Sequence, residues 1–250
     1  MAKPMANDHF GVKTLLIDNR MIKIEHVSVC FDDFFALKNV HVTLCEKKIG
    51  IIGSNGSGKS TFARLINGLQ LPSEGKVEID GLSTCKERRG VRAKVGFIFQ
   101  NPDHQIIFPI VEDDIAFGLK NMGYTKKEIH AAINKLLTSY DLAHLRYKKS
   151  HLLSGGEKQL LAILSVLVME PTYMVFDEPT TLLDLKNKRK ILEMIENLSQ
   201  TIIVVTHDLD LLTHFDRVLV FEQGRLVIDD LPSASIKAYQ KLIYDPLPNR

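Results

Sequence analysis

One glycine-rich segment limits the folds open to this chain more than any other feature. Residues 53–60, here called the phosphate loop, are Gly-Ser-Asn-Gly-Ser-Gly-Lys-Ser and match the pattern G-x-x-x-x-G-K-[ST]. The apolar run 49–52 before the loop has the length of a strand. The residues after it place Phe62, Leu65 and Leu69 at helical spacing. Strand, glycine turn and helix in this order predict an α/β unit whose loop encloses a phosphate group.

The residue types of the phosphate loop suit a nucleoside triphosphate. Glycines without a Cβ let the backbone close around an anion, and successive N–H groups then point inward. The N-terminus of the following helix also favours negative charge. Lys59 is predicted to bridge the β- and γ-phosphates, and the Ser60 hydroxyl to ligate Mg²⁺. The predicted ATP-binding residues of this region are Ser54, Asn55, Gly56, Ser57, Gly58, Lys59, Ser60 and Thr61.

Composition excludes several classes of protein. The 250 residues are 45% hydrophobic and 25% charged, as in an ordinary globular chain of one large or two small domains. A net charge of +2 is too small to argue for a nucleic-acid partner, and the basic run 86–94 lacks interleaved aromatic residues. The three cysteines show no C-x-x-C spacing, which fits a reducing cytosol. Apolar stretches such as 163–169 are too short to span a membrane, so any membrane role is expected to be peripheral.

Periodicity along the chain predicts a single α/β core. Short alternating segments at 21–29, 40–44 and 76–80 indicate strands, which we expect to form a mixed sheet around the nucleotide. From residue 153 onward, helices alternate with strands, which is typical of parallel α/β packing. The predicted organisation is an extension with little order, a core domain, a helical insertion within that domain, and a short C-terminal helix with a tail, at residues 1–20, 21–231, about 105–170 and 232–250.

An acidic pair follows the apolar run 173–176. In an open α/β sheet the carboxyl ends of the strands line the ligand crevice, so Asp177 and Glu178 should face the nucleotide. Asp177 is then predicted to belong to the Mg²⁺ shell, and Glu178 to polarise the attacking water as a general base. Taken alone, the same pair could also cap the next helix.

Two further polar side chains follow strand-like runs. His207 comes after the run 201–205 and is predicted to contact the γ-phosphate and orient the water, although a lone histidine in this position is commonly structural. Gln100 follows the run 94–99, and its amide suits a Mg²⁺ ligand that also senses whether the site is filled. Together with the phosphate loop, these residues predict that the chain binds and hydrolyses ATP.

A second glycine-rich motif lies at 153–159, Leu-Ser-Gly-Gly-Glu-Lys-Gln. Ser154 is a good N-cap, and Glu157 stands three residues later, as in a capping box. One interpretation is a well-capped helix start. The other is a second anion-binding helix N-terminus with no phosphate site of its own, which would contact a γ-phosphate held by another subunit.

Together these motifs resemble the ATP-binding cassette (ABC) ATPases from about residue 21 to 231. The resemblance implies a P-loop NTPase fold with a three-layer α/β core, an N-terminal antiparallel β subdomain and a helical signature subdomain. It identifies Gln100 as the Q-loop glutamine and His207 as the switch histidine. It also implies that an aromatic residue, Phe31, stacks on adenine, and that the signature closes on the partner's nucleotide through Ser154, Gly155, Gly156 and Glu157.

The D-loop of that family corresponds to residues 181–184, Thr-Leu-Leu-Asp. The family more often has Ser-Ala-Leu-Asp there, so Asp184 is kept while Thr181 and Leu182 differ. The differences therefore fall in the segment that couples the two nucleotide sites, and the predicted nucleotide-binding residues are unaffected.

Two motifs point to a subgroup. Gln-Asn-Pro-Asp-His-Gln at 100–105 and Val-Glu-Asp-Asp-Ile-Ala-Phe-Gly at 111–118 resemble the ATPases of energy-coupling-factor importers, which take up vitamins such as biotin, or cobalt and nickel ions. The resemblance implies two ATPase subunits on the inner face of the membrane, beneath a transmembrane coupling protein and a small substrate-binding membrane protein. The apolar segment 106–111 is then part of the groove for the coupling protein; simple buried packing is the alternative. The short C-terminal part favours the biotin type.

Other classes fit the sequence less well. Chromosome-type cassette proteins need a long coiled coil between the phosphate loop and the signature, and no heptad pattern appears between residues 60 and 153. Translation-type relatives carry two cassettes, whereas this chain has one set of motifs. A pure interaction module with a dead site conflicts with intact Lys59, Glu178 and His207. ATPases of other ABC transporter subgroups are the main alternative.

Overall fold

A computed structural model describes residues 20–244 of the chain. Ten strands and seven α-helices lie in this range. The predicted extension 1–20 lies outside it except for Arg20, as do the last six residues of the predicted C-terminal segment. Among the described residues, no helix combines the length and hydropathy needed to cross a bilayer.

The larger sheet has six strands in the order β10-β9-β3-β8-β7-β6. All neighbours are parallel except β10, which pairs antiparallel with β9. The parallel strands are short apolar runs, as expected for strands buried on both faces. The six strands of this sheet are β3 Lys48–Gly53, β6 Val95–Ile98, β7 Tyr173–Asp177, β8 Thr201–Val205, β9 Arg217–Glu222 and β10 Arg225–Asp230.

The smaller sheet is antiparallel, with the order β2-β1-β4-β5. Its strands are β1 Ile22–Phe31, β2 Phe34–Leu44, β4 Glu74–Ile79 and β5 Leu82–Ser83. The expectation that these segments join the phosphate-loop strand in one mixed sheet is wrong. β1 pairs with β2 on one side and β4 on the other, so the backbone groups of these strands are satisfied within their own sheet. The antiparallel β subdomain implied by the family resemblance is confirmed.

Alternating side chains on the central strands divide the core in two. On β8, Ile203 and Val205 face one apolar cluster, while Ile202 and Val204 face the other. The first cluster includes residues of helix α1 (Lys59–Asn67) and of the antiparallel sheet. The second includes residues of the helical region and of helix α6 (Leu185–Glu196). Both faces of the larger sheet are therefore covered, which confirms the three-layer architecture.

The helices are α1 Lys59–Asn67, α2 Arg88–Lys94, α3 Val111–Asn121, α4 Lys126–Ser139, α5 Gly155–Leu167, α6 Leu185–Glu196 and α7 Pro232–Tyr244. Three of them, α3 to α5, lie in the predicted helical insertion, and α7 lies in the predicted C-terminal segment. The prediction of a helix between β8 and β9 is wrong, because only a 3-10 turn, Leu211–His214, occurs there. This short turn still buries Leu211 and Leu212 against the core.

Candidate functional site

The phosphate loop connects β3 to α1, and its glycines are needed for their backbone conformation. Gly53, Gly56 and Gly58 all have positive φ, at 148°, 77° and 101°. A Cβ on Gly58 would lie 2.5 Å from the Ala36 carbonyl oxygen, so a larger residue would also collide with the antiparallel sheet. Gly58 is the N-cap of α1 and has no side chain to occupy the first N–H groups. These N–H groups are available to an anion.

Lys59 extends back over the loop. Its buried ammonium donates hydrogen bonds to the carbonyl oxygens of Gly53 and Ser54, at 2.9 and 2.8 Å. Burial lowers the pKa of Lys59, an effect opposed by the carboxylates of Glu178, Asp177 and Glu222. The group therefore lies at the loop as a cation among acidic neighbours, in a position to meet a phosphate.

Glu222 contacts the phosphate loop and was not predicted from the sequence. The Ser54 hydroxyl donates to both of its carboxylate oxygens, at 2.9 and 2.8 Å. Glu222 ends β9, which is the parallel neighbour of β3, so it fixes the start of the loop across two strands. A lone glutamate far along the chain carried no sequence signal for this contact.

Asp177 and Ser60 form the candidate metal site. The Ser60 hydroxyl donates to Asp177 Oδ1 at 2.8 Å, and an Arg64 nitrogen lies 3.7 Å from Oδ2. Burial raises the pKa of Asp177, while Ser60 and Arg64 oppose that shift. A hydroxyl and a carboxylate beside a phosphate loop are the hard oxygen ligands that Mg²⁺ prefers, so these residues fit the cation.

The Glu178 carboxylate is contacted by side chains from the loops that follow three strands. Its Oε1 lies 2.8 Å from His207 Nε2. Its Oε2 accepts hydrogen bonds from Thr181 Oγ1 at 2.9 Å and from Gln100 Nε2 at 3.4 Å. The backbone of Glu178 has φ of 50°, an uncommon conformation for a non-glycine residue that is frequent at active sites.

The order of the strands explains this convergence. Gln100, Glu178 and His207 follow β6, β7 and β8, which are consecutive neighbours in the parallel sheet. Strand β3, which leads into the phosphate loop, lies next to β8. The structure therefore places the predicted acid, amide and histidine together at the carboxyl ends of these strands, beside Lys59 and Ser60.

Two aromatic side chains border the phosphate loop on the side of the antiparallel sheet. Phe31 and Phe34 line one pocket with Ala36, the loop residues 55, 56 and 58–61, and Glu178. Phe31 and Phe34 are paired residues at the end of the β1–β2 hairpin and are 46% and 63% exposed. Only Phe31 was predicted for this pocket, although a second aromatic residue three positions later, Phe34, is a signal that could have revealed the pair.

Ser154 and Glu157 form the expected capping box at the start of α5. The Ser154 hydroxyl accepts from the Glu157 N–H at 3.3 Å, and the Glu157 carboxylate accepts from the Ser154 N–H at 2.7 Å. Burial alone would raise the pKa of Glu157, but these bonds and the ion pair with Lys148 lower it. The helix N-terminus is thus well formed.

The signature does not join the phosphate-loop pocket of its own chain. Gly155 instead lines a separate cleft with Gln100, Lys158 and Leu182. Asp184, the D-loop carboxylate, caps α6 by accepting from the backbone and side-chain nitrogens of Asn187, at 2.8 and 2.9 Å. Of the predicted site residues, only this signature and Asp184 lie apart from Lys59 and Glu178.

A parallel sheet with a phosphate loop, a buried aspartate and a histidine-bound glutamate at its carboxyl edge defines a P-loop ATPase. The profile of the family described as "ABC transporter" matches residues 37–181. The chain belongs to this family, binds ATP and is an ATPase.

Three similar proteins refine the comparison. The biotin transport ATP-binding protein BioM of Rhizobium etli is 46% identical over 221 residues, which are 88% of this chain and 98% of that protein. The energy-coupling factor transporter ATP-binding protein EcfA of Syntrophomonas wolfei is 41% identical over 215 residues, 82% of this chain and 79% of EcfA. The structure of cbiO1 from Clostridium perfringens, part of the ABC transporter complex cbiONQ, matches with a TM-score of 0.76 at 33% identity, covering 90% of this chain and 93% of cbiO1.

Proposed function

We propose that this chain is the ATP-hydrolysing subunit of an energy-coupling-factor importer for a vitamin, with biotin favoured over a transition-metal ion. The observation that carries the hydrolytic part is the Glu178 carboxylate, held by His207 and Thr181 at the edge of the sheet that bears the phosphate loop. Similarity to BioM and EcfA supports the importer type, and BioM supports biotin.

The residues divide the chemistry of hydrolysis among them. Lys59 and the loop N–H groups bind the phosphates, and Phe31 with Phe34 provides apolar faces for the base. Ser60 and Asp177, with Gln100 nearby, would hold Mg²⁺, which would supply positive charge against the negative charge that develops on the phosphate oxygens. Glu178 accepts the proton of the attacking water as general base, and His207 orients the carboxylate and contacts the γ-phosphate.

A second subunit completes each site. The helix that begins after Ser154 lines, through Gly155, a cleft other than the phosphate-loop pocket of its own chain. A head-to-tail pair with two-fold symmetry brings each signature to the partner's phosphate loop and makes the two sites equivalent. ATP stabilises the closed pair through these contacts, and hydrolysis removes them. We favour a homodimer, with a paralogous partner as the alternative.

The membrane partners contact the segment that follows Gln100. Buried Asp114 accepts from the N–H groups of Ile107 and Phe108, at 2.8 and 3.0 Å, and from Ser165 on α5. With its backbone held by these hydrogen bonds, Ile107 is 67% exposed. It lies next to Phe108 in the chain, and the Phe108 ring contacts Phe117. An exposed apolar surface of this kind suits the cytoplasmic helix of a transmembrane coupling protein, itself beside a small substrate-binding membrane protein. The chain is then peripheral on the inner face of the membrane.

Glu178→Gln tests the catalytic role. The amide keeps the size of the side chain but cannot accept a proton, so ATP turnover should fall at least about a hundredfold while ATP still binds and traps a dimer. Glu193→Gln, an exposed change on α6, is the matched control and should behave as wild type. Rapid turnover by Glu178→Gln would remove Glu178 from the role of base.

Isolation of the full chain from native membranes, followed by mass spectrometry, tests the transporter role. Two small integral membrane proteins, one of which binds biotin, are the expected partners. A transmembrane permease of another kind would indicate a different ABC transporter subgroup. Recovery with no membrane protein would support a non-transport ATPase and overturn the importer.

A further inference from the structure

We propose that Thr181 is a positioning residue that holds the Glu178 carboxylate in the orientation for hydrolysis. The inference rests on the proposed role of Glu178 as general base. Thr181 Oγ1 donates to Glu178 Oε2 at 2.9 Å, whereas the Gln100 amide reaches the same oxygen only at 3.4 Å. The hydroxyl is therefore the closer donor to this oxygen.

A tight turn delivers the hydroxyl to the carboxylate. The chain reverses over 178–181, where the Thr181 N–H lies 3.4 Å from the Glu178 carbonyl oxygen. Pro179, buried in the middle of the turn, fixes its own φ, and Glu178 begins the turn with a φ of 50°. Thr181 therefore returns over Glu178 through a backbone path that leaves little freedom between the two side chains.

Residues from two different loops hold the two oxygens of Glu178. His207, after β8, contacts Oε1, while Thr181 contacts Oε2 from the loop after β7. A carboxylate that is bound through only one oxygen can still rotate about its terminal torsion, which has broad preferences. With both oxygens bound, the plane of the carboxylate is fixed, and so are the lone pairs that meet the water.

The threonine side chain suits this task. Its β-branch restricts the first side-chain torsion, so the hydroxyl loses less freedom in making the bond than a serine hydroxyl would. Thr180, the preceding residue, is buried, whereas Thr181 is exposed. The contact thus contributes little to the core, and a change at Thr181 is expected to leave the fold intact.

Thr181→Val tests the inference, because valine has the same shape and lacks the hydroxyl. In the full-length chain we expect kcat for ATP to fall about tenfold, as for loss of one hydrogen bond to a charged group, with KM unchanged. Thr181→Ser restores the donor and should keep kcat within about threefold of wild type. Thr138→Val, an exposed substitution on α4, is the control for threonine loss at a surface.

A shortened carboxylate distinguishes positioning from a general structural effect. In Glu178→Asp the carboxylate lies one methylene further from Thr181, so adding Thr181→Val should leave the single-turnover rate of that variant unchanged. A further tenfold fall, or wild-type kcat in Thr181→Val alone, would overturn the role of Thr181. Rapid turnover by Glu178→Gln would instead refute the proposed base, which keeps the two failures separate.

Discussion

Gly156→Ala should destabilise the nucleotide-free chain, although alanine is the better helix former. A Cβ built on Gly156 lies 2.3 Å from Asn187 Cγ, 2.4 Å from Oδ1 and 2.8 Å from its Cβ. Asn187 cannot simply turn away, because its backbone and side-chain nitrogens are bound to Asp184 at the start of α6. The methyl group therefore forces α5 and α6 apart or breaks a helix cap.

The magnitude follows from three contributions. Overpacking by one methyl group costs about 2 kcal/mol, and loss of the Asn187–Asp184 side-chain bond costs about 1 kcal/mol. Replacing glycine within a helix returns up to about 1 kcal/mol. The net expectation is a loss of about 2 kcal/mol in the free energy of unfolding, or about 4–8 °C in Tm for a chain of this size.

Gly155→Ala is the matched control. A Cβ at Gly155 meets nothing within 4 Å, so this variant should be as stable as wild type or more stable by up to about 1 kcal/mol. Urea unfolding of both variants without nucleotide gives the comparison free of any effect on ATP binding. Equal stabilities within about 0.5 kcal/mol would refute the argument that Asn187 excludes a side chain from Gly156.

Two other substitutions test the nucleotide pocket and the helical region. Phe34→Ala should weaken ATP binding by about 1–2 kcal/mol through lost stacking, as Phe31→Ala should; in a fluorescence titration, unchanged affinity would exclude Phe34 from the base site. Arg146 lowers the pKa of Glu112 below its usual 4.5, so the ion pair stabilises the fold above that pH and ceases to do so as the pH falls through the lowered pKa. Glu112→Gln should therefore cost about 1–2 kcal/mol at pH 7 in urea unfolding, and the cost should decline as the pH falls through the lowered pKa; a cost independent of pH would contradict this.

Features formed by near neighbours in the chain were determined by the sequence alone. The phosphate loop needs a strand, three glycines and a helix start within about twenty residues, and local backbone preferences suffice to predict it. The capping box of Ser154 and Glu157 is equally local, since a hydroxyl and a carboxylate three residues apart satisfy each other's N–H groups. The apolar runs that become β3, β7 and β8 were likewise visible as buried strands.

Contacts between distant segments depended on the tertiary structure. The order of parallel strands is not written in any one segment, yet it decides that Gln100, Glu178 and His207 meet at one sheet edge. It also brings Glu222 to Ser54 across neighbouring strands, a contact that no local pattern revealed. The separation of the antiparallel sheet had the same origin, because pairing partners are chosen by the hydrogen bonds and packing of the whole fold, whereas residue periodicity specifies only that a strand exists.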